Sequence, residues 1–360
     1  MVKALACIAI VWHHLAFYGP MSDIAHPLAP DLMAWLYDHA RIAVQVFLVV
    51  GGYLAAGSLA PQGMARFAQW GSTVGKRFVR LVVPYAVALV LTVALSAILR
   101  PWFHHPSVPG DPTFSQLLAN ALLLQDVLGE DALSAGVWYV AIDFQLFALS
   151  ALIWAALRQL PGPTAARYAA PLGQGLVVAG TAASLWVFNR MSGLDMWALY
   201  FFGAYGLGML AFWAVHAPRA RGWVGLMLVL GGVALAIDYR SRILVALLTA
   251  LALVWALRSE WLRSWQGVRP LVVLGQMSYS VFLVHFAVCM LVNAVVGTLW
   301  PASPVINALG MSLAFGLSLA MGRLLYLRVE RHVPTWRTAL RWQCGLVGAG
   351  LLLAVPAQWV

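Results

Sequence analysis

Stretches of about 20 predominantly apolar residues, the length that crosses the hydrocarbon core of a bilayer as a helix, recur along almost the whole chain. They lie at 2–19, 32–59, 78–99, 136–158, 171–190, 195–215, 222–238, 242–258, 270–299, 303–329 and 341–358. Of the 360 residues, 62% are hydrophobic and only 9% charged, where a soluble domain has about 25% charged. Inside lipid, every backbone polar group must find its partner within the structure, which leaves helices or closed barrels; runs of this length select helices. The expected fold class is therefore all-α, a polytopic membrane helix bundle with about ten core transmembrane helices. The core is expected to occupy 1–334, with 335–360 forming an extra, eleventh transmembrane helix.

The apolar run from Ala4 to Tyr18 has no small-residue cleavage site, so it reads as a first span or signal anchor. Cys7, Cys289 and Cys344 all sit in apolar stretches without metal or redox spacing and read as packing residues. A net charge of +10 could suggest nucleic acid, but the basic residues are dispersed among helix ends. With the N-terminus in the cytoplasm, one side of the alternating loops collects Lys3, Arg66, Lys76, Arg77, Arg80, Arg158 and most of the later arginines. The other side holds only Arg100, Arg190, Arg240 and Arg242. That asymmetry is the positive-inside rule, and no nucleic-acid partner is expected. The long loop from Arg100 to Ala135 then faces outside, carrying His104-His105 and an acidic patch, and could cover an external substrate site. Its segment Phe114–Leu128 is amphipathic and too short to span; it is expected at the interface or packed over the bundle.

Ionisable groups inside membrane helices cost roughly 2.5–3.5 kcal/mol on insertion scales, so those that occur are candidate functional groups. Lys3 and His14 are 11 positions apart, which puts them within about 20° of one helix face and roughly 16 Å apart along the axis. Imidazole is the common general base near neutral pH; equally, His13 and His14 could anchor the helix at the interface beside Trp12 and Tyr18. Asp38, Arg41 and Gln45 share a face of the second span, where Asp38 can pair with Arg41. Lys76, Arg77 and Arg80 form a cationic cluster at a helix mouth, either an ordinary cytoplasmic anchor or a clamp for a polyphosphate. In Trp138-Tyr139-Val-Ala-Ile-Asp143-Phe-Gln145, Asp143 has no basic neighbour within a turn, so its partner must come from another helix. His285 lies about halfway along its span and needs a polar partner too. Arg323, Tyr326 and Glu330 share a face of the tenth span. No metal-ligand spacing, Walker-type loop or dinucleotide fingerprint occurs.

Taken together these segments resemble the acyltransferase 3 family, the bacterial membrane O-acyltransferases of surface glycans. The run Lys3-Ala-Leu-Ala-Cys-Ile-Ala-Ile-Val-Trp-His-His14 is similar to the family's opening helix, where a basic residue precedes the catalytic histidine by the spacing that picks out His14 over His13. Val44-Gln-Val-Phe-Leu-Val-Val-Gly-Gly-Tyr53 resembles its second-helix motif, and Lys76-Arg77-Phe-Val-Arg80-Leu-Val-Val-Pro84-Tyr85 its paired-arginine motif. Trp138 to Gln145 resembles its tryptophan–acid–glutamine motif, Ser278-Tyr-Ser-Val-Phe-Leu-Val-His285 its late histidine helix, and Glu330 with Pro334 its closing segment. The chain departs from the pattern at Lys3 (usually Arg), Gln45 (usually acidic), Gly51 (usually Ser), Asp143 (usually Glu) and Phe144 (often acidic).

The resemblance implies a multi-pass protein of the bacterial inner (plasma) membrane with a cytoplasmic N-terminus. It implies transfer of an acyl group, acetyl by default, from cytoplasmic acyl-CoA to a hydroxyl of an extracytoplasmic carbohydrate or lipid-linked glycan. Acyl-CoA is then the donor substrate and no metal is needed. His14, Asp143 and His285 would be catalytic, with His14 the base and Asp143 a partner that orients it. Lys3, Lys76, Arg77 and Arg80 would hold the donor, and Trp138, Tyr139, Gln145 and Arg41 would line the substrate path. The alternative is a transporter or flippase for a lipid-linked sugar or small acid, although the chain shows no repeat symmetry and no matching pair of broken helices.

Overall fold

A computed structural model describes residues 1–159 and 163–354. Among them the secondary structure is helical throughout. In chain order the helices are α1 (Val2–Phe17), α2 (Met21–Ala25), α3 (Pro30–His39), α4 (Val44–Leu59), α5 (Trp70–Leu99), α6 (Phe114–Ala121), α7 (Gln125–Leu128) and α8 (Trp138–Leu157). They continue with α9 (Pro163–Trp186), α10 (Ala198–His216), α11 (Arg221–Ile237), α12 (Ser241–Arg258), α13 (Glu260–Ser264), α14 (Arg269–Leu299), α15 (Pro304–Leu325) and α16 (Trp336–Ala354).

Helices occupy every stretch where a span is expected, but among the described residues eight are both long and apolar enough to cross a bilayer. A ninth results if α1 and Met21–Leu28, which meet at 89°, form one broken span; a cis Gly19–Pro20 peptide stands at that bend. The expected eleven are thus reduced, for identifiable reasons. Helix α11 has 17 residues, the short end of what crosses a bilayer. Helix α16 begins ahead of the expected 341, so its first turns include Arg337 and Arg341; residues 355–358 of that expected span lie outside the described residues. The second stretch still counts as one span over Pro30–Leu59, with a 3-10 turn inside it at Ala40–Ala43. That turn rephases the helix, and no ion pair joins Asp38 to Arg41 among the described residues. The segment Phe114–Leu128, expected at the interface or packed over the bundle, packs on α16. It breaks at Leu123, whose φ is 58°. Its α6 runs antiparallel along α16, with Leu117 against Gly350 and the Ala121 carbonyl accepting from Gln343 Nε2.

Contacts group the chain into two compact units, with boundaries just before α4, within α5, within α8 and just before α14. The first comprises Met1–Ala43, Phe78–Ala141 and Val268–Val360. Its centre is α14, nearly all of whose middle turns are buried. Helix α15 packs on it closely enough that a Cβ at Gly322 would sit 2.6 Å from Val281 Cα, the small-residue contact that brings membrane helices together. On another side α1 meets α14. Asn293 ties the two by donating to Tyr18 O at 3.0 Å and accepting from Met21 N at 3.0 Å. Helix α5 joins through Tyr279, whose hydroxyl donates to Leu81 O at 3.0 Å, and through the apolar cluster of Leu99, Phe103, Met290 and Ala294.

The second unit comprises Val44–Arg77 and Ile142–Gly267, with α10 at its core. Here α4 and α10 cross with almost no side chain between them. A Cβ on Gly52 would lie 1.8 Å from Tyr205 O, and one on Gly208 would lie 1.9 Å from Val49 O. Trp154 and Trp213 each bury the ring and donate Nε1 to a carbonyl, Gly63 O at 2.8 Å and Ala60 O at 3.1 Å. This fixes the turn after α4. In the loop before α12, the Arg240 hydrogen bond holds the exposed Asp238 carboxyl below the usual carboxylate range.

Candidate active site

Helix α1 separates its adjacent histidines by the 100° step between neighbouring residues. His13 turns toward α3, where its Nδ1 lies 2.9 Å from Leu36 O and the ring is buried. His14 turns toward α14. Cys7, two turns earlier on the same face, reaches Ser278 O, and Tyr18, one turn later, packs edge-on against Phe286. Between these contacts His14 Nδ1 stands 2.5 Å from His285 Nε2, the two rings parallel to within 6°. His285 is fully buried, and its Nδ1 lies 2.6 Å from the Phe282 carbonyl.

This geometry orders the protons. A carbonyl oxygen only accepts, so His285 Nδ1 must carry hydrogen. In a neutral imidazole the other nitrogen then accepts, so His285 Nε2 receives a hydrogen from His14 Nδ1. The lone pair of His14 is left on Nε2. His14 is half-buried, so that nitrogen belongs to a ring that is not sealed away. The segment ahead of α8 closes against it. Gly136 has φ +82°, and a Cβ there would meet the Phe282 ring at 3.0 Å and His14 Cε1 at 3.4 Å. Only glycine suits both the backbone and the space. Tyr139 packs edge-on to the same Phe282 ring, and Trp138 edge-on to Tyr139.

At the opposite end of α1, Lys3 is half-buried and lies in the field of Glu330. Residues Tyr326–Glu330 form a π-helical turn, a local irregularity frequent at functional sites. The turn rotates Glu330 onto α14, where its Oε2 accepts from Ser280 N at 3.1 Å and Ser280 Oγ at 2.5 Å. Arg323, expected on one face with Glu330, is instead exposed, because the π turn breaks the helical phase. Arg80 is exposed and also lies in the field of Glu330.

In the second unit, Asp143 is buried and pairs with Arg77, Nη2 to Oδ2 at 2.5 Å. The Arg77 guanidinium also stands over the Phe147 ring. Asp143 is therefore the counter-ion of an arginine in this structure, while the contact that orients His14 comes from His285. A Cβ on Gly51 would come within 2.7 Å of Asp143 Oδ1 and 3.2 Å of the Tyr205 ring. Tyr205 is wholly buried, and its hydroxyl has no hydrogen-bond partner among the described residues. Lys76 is exposed, Gln145 is half-buried, and Arg41 is exposed on the 3-10 turn of the first unit. Sequence reasoning misses Tyr205, Gly136 and the Glu330–Ser280 contact. A tyrosine, a glycine and a serine in apolar surroundings carry no periodic signal, and their roles come from contacts distant in sequence.

A family model described as an acyltransferase domain, acyltransferase 3, matches residues 1–323. The match takes in His14, Arg77, Arg80, Asp143 and His285 and stops short of Glu330 and Pro334. No curated protein and no solved structure matches the chain. The match covers most of the chain, its helices are long and apolar enough to cross a bilayer repeatedly, and the chain belongs to the acyltransferase 3 family of membrane proteins.

Proposed function

We propose that the protein moves an acyl group, acetyl in the simplest case, from cytoplasmic acyl-CoA to a hydroxyl of an extracytoplasmic carbohydrate or lipid-linked glycan. It would do so in the bacterial inner membrane with its N-terminus in the cytoplasm. The observation that carries the reading is the ordered histidine pair, which leaves one lone pair on His14 Nε2. Acyl transfer to an alcohol needs a base for the alcohol's proton, and this nitrogen can supply it.

The donor end of the reading rests on the cations at the start of α5. Lys76 and Arg80 are exposed, and their charge suits phosphate oxygens. Arg77 keeps a fixed direction through Asp143. Lys3, in the field of Glu330, adds a further positive group. Trp138, Tyr139, Gln145 and Arg41 remain candidates for the acceptor path.

The chemistry follows from the proton order. The acceptor hydroxyl gives its proton to His14 Nε2 as its oxygen bonds to the thioester carbonyl carbon. The resulting imidazolium keeps its Nδ1 hydrogen bond to His285 Nε2, which holds the ring in place through the step. The tetrahedral adduct collapses, the carbon–sulfur bond breaks, and the CoA sulfur leaves with the proton returned from His14. An ester and free CoA are the products, and His14 is again neutral. A positioned base of this kind contributes typically about 10²–10⁴-fold in rate.

Proteoliposomes holding radiolabelled acetyl-CoA inside and a bacterial glycan extract outside test this reading. Covalent label on the external glycan, dependent on the protein, is the expected result. Label that crosses the membrane without becoming covalently attached would replace the enzyme with the transporter.

A further inference from the structure

The segment α6–α7 carries an anomaly that the acyl-transfer scheme leaves unused. Gln125, at the start of α7, is fully buried, yet neither its Oε1 nor its Nε2 has a hydrogen-bond partner among the described residues. Leaving a buried amide unpaired costs about 1–3 kcal/mol. The same segment shows that pairing is achievable here. Asn120, five positions earlier and equally buried, has all its capacity met, donating to Gln116 O and Asp131 O and accepting from Leu133 N and Tyr85 Oη. Nearby, Ser134 Oγ and Asp126 Oδ2 are also buried without partners.

The depth of this segment follows from its neighbours. Phe78 on α5 stacks on Trp336 at the start of α16, ring centroids 6.2 Å apart, so the two helices share a level there. Tyr85 and Gln343 each lie seven residues further along, about 10 Å deeper at 1.5 Å per residue. Tyr85 meets Asn120, and Gln343 meets Ala121. The inner end of α6 therefore lies about 7.5 Å beyond the level of Arg80, and α7 follows immediately. A donor with its phosphates at Arg80 would extend its pantetheine arm along this same stretch of α5. That arm carries two secondary amides between the phosphates and the thioester. Each amide offers one N–H and one C=O, the complement of what Gln125 leaves unpaired.

We propose that Gln125 is a donor-binding residue whose side-chain amide pairs with a pantetheine amide of acyl-CoA. The inference rests on the acyl-CoA reading above and adds to it a subsite on the α6–α7 segment. It explains why this amide is buried yet unpaired while Asn120 is not. It also gives a reason for α16, all of which follows the family match: that helix holds α6 at the depth where α7 meets the donor.

The test uses the full-length protein in nanodiscs, comparing wild type with Gln125→Met and Gln125→Glu. Two donors are compared, acetyl-CoA and S-ethyl thioacetate, which lacks both amides, alongside equilibrium binding of CoA itself. The expected result is a KM for acetyl-CoA raised about tenfold in Gln125→Met, one hydrogen-bonded pair's worth, with matching loss of CoA affinity. Turnover of S-ethyl thioacetate should stay at the wild-type value, and the thermal midpoint should not fall. If Gln125→Met does not fold, Gln125→Glu, which retains an acceptor but loses the N–H donor, should weaken CoA binding in the same direction. Unchanged CoA affinity in a folded variant overturns the subsite, as does equal damage with both donors, or a raised KM for the acceptor alone. A wild-type protein that transfers from acetyl-CoA while these variants match it sinks only this inference. A wild-type protein that neither binds CoA nor transfers sinks the reading beneath it as well.

Discussion

A histidine serves as a base only if one ring nitrogen keeps its lone pair, and the chain Phe282 O, His285, His14 arranges this through two hydrogen bonds. Replacing His285 by Ala removes the acceptor for His14 Nδ1 and frees the ring to rotate or change tautomer. We expect kcat to fall about 10²–10³-fold with little change in KM, read from steady-state kinetics, since an orienting partner acts on the step and not on binding. His285→Gln, which keeps an acceptor at similar reach, should recover part of that loss. Gly136 is constrained in another way. An Ala there meets a positive φ and the Phe282 ring together, so Gly136→Ala should cost about 1–2 kcal/mol of stability and lower kcat, visible in a thermal melt and an assay of the same sample. At this scale the sequence is half legible. Periodicity alone leaves His13 and His14 both open, and it is the resemblance to the family's opening helix that picks out His14. The His285 contact spans 271 residues and depends on which faces of α1 and α14 meet. That is why Asp143, the expected partner, is instead found with Arg77.

Pairs of elements carry the next set of consequences. Within the second unit, Arg77 links α5 to α8 through Asp143, a carboxylate that is almost wholly buried. Removing one member strands the other, so Asp143→Leu should lower stability by about 2 kcal/mol, reduced from the buried-pair range because Arg77 is partly exposed. Losing both partners in Arg77→Leu/Asp143→Leu should cost less than Asp143→Leu alone, a comparison that denaturation of the three variants in detergent would make. Within the first unit, the π turn of Tyr326–Glu330 delivers a carboxylate to Ser280. Glu330→Gln replaces a charge-assisted bond by a neutral one and should cost about 1 kcal/mol, with Ser280→Ala giving a loss that is not additive with it. Periodicity foresees most of these helices, since long apolar runs admit little else. It does not foresee the 3-10 turn at Ala40–Ala43, the π turn or the break at Leu123. Each shifts the phase by a residue or less, and its stabilising contacts come from other helices.

For the whole molecule, the governing fact is that apolar helices long enough to cross a bilayer recur throughout the chain. The fold class is legible from this alone, because lipid permits so few backbone solutions. The number of crossings is less legible. Hydropathy cannot tell a complete span from a bent pair such as α1 with Met21–Leu28. The family match, together with the histidine pair, supports reading the molecule as a device that brings a cytoplasmic thioester and an external hydroxyl to one imidazole. The measurement that tests this most directly is transfer of radiolabelled acetyl from acetyl-CoA to a glycan extract by nanodisc-embedded wild type and His14→Ala, with the thermal midpoints of both recorded. The account predicts label on the glycan with wild type and a loss of at least about 10²-fold in the variant, at unchanged stability. Equal transfer by both proteins would contradict it.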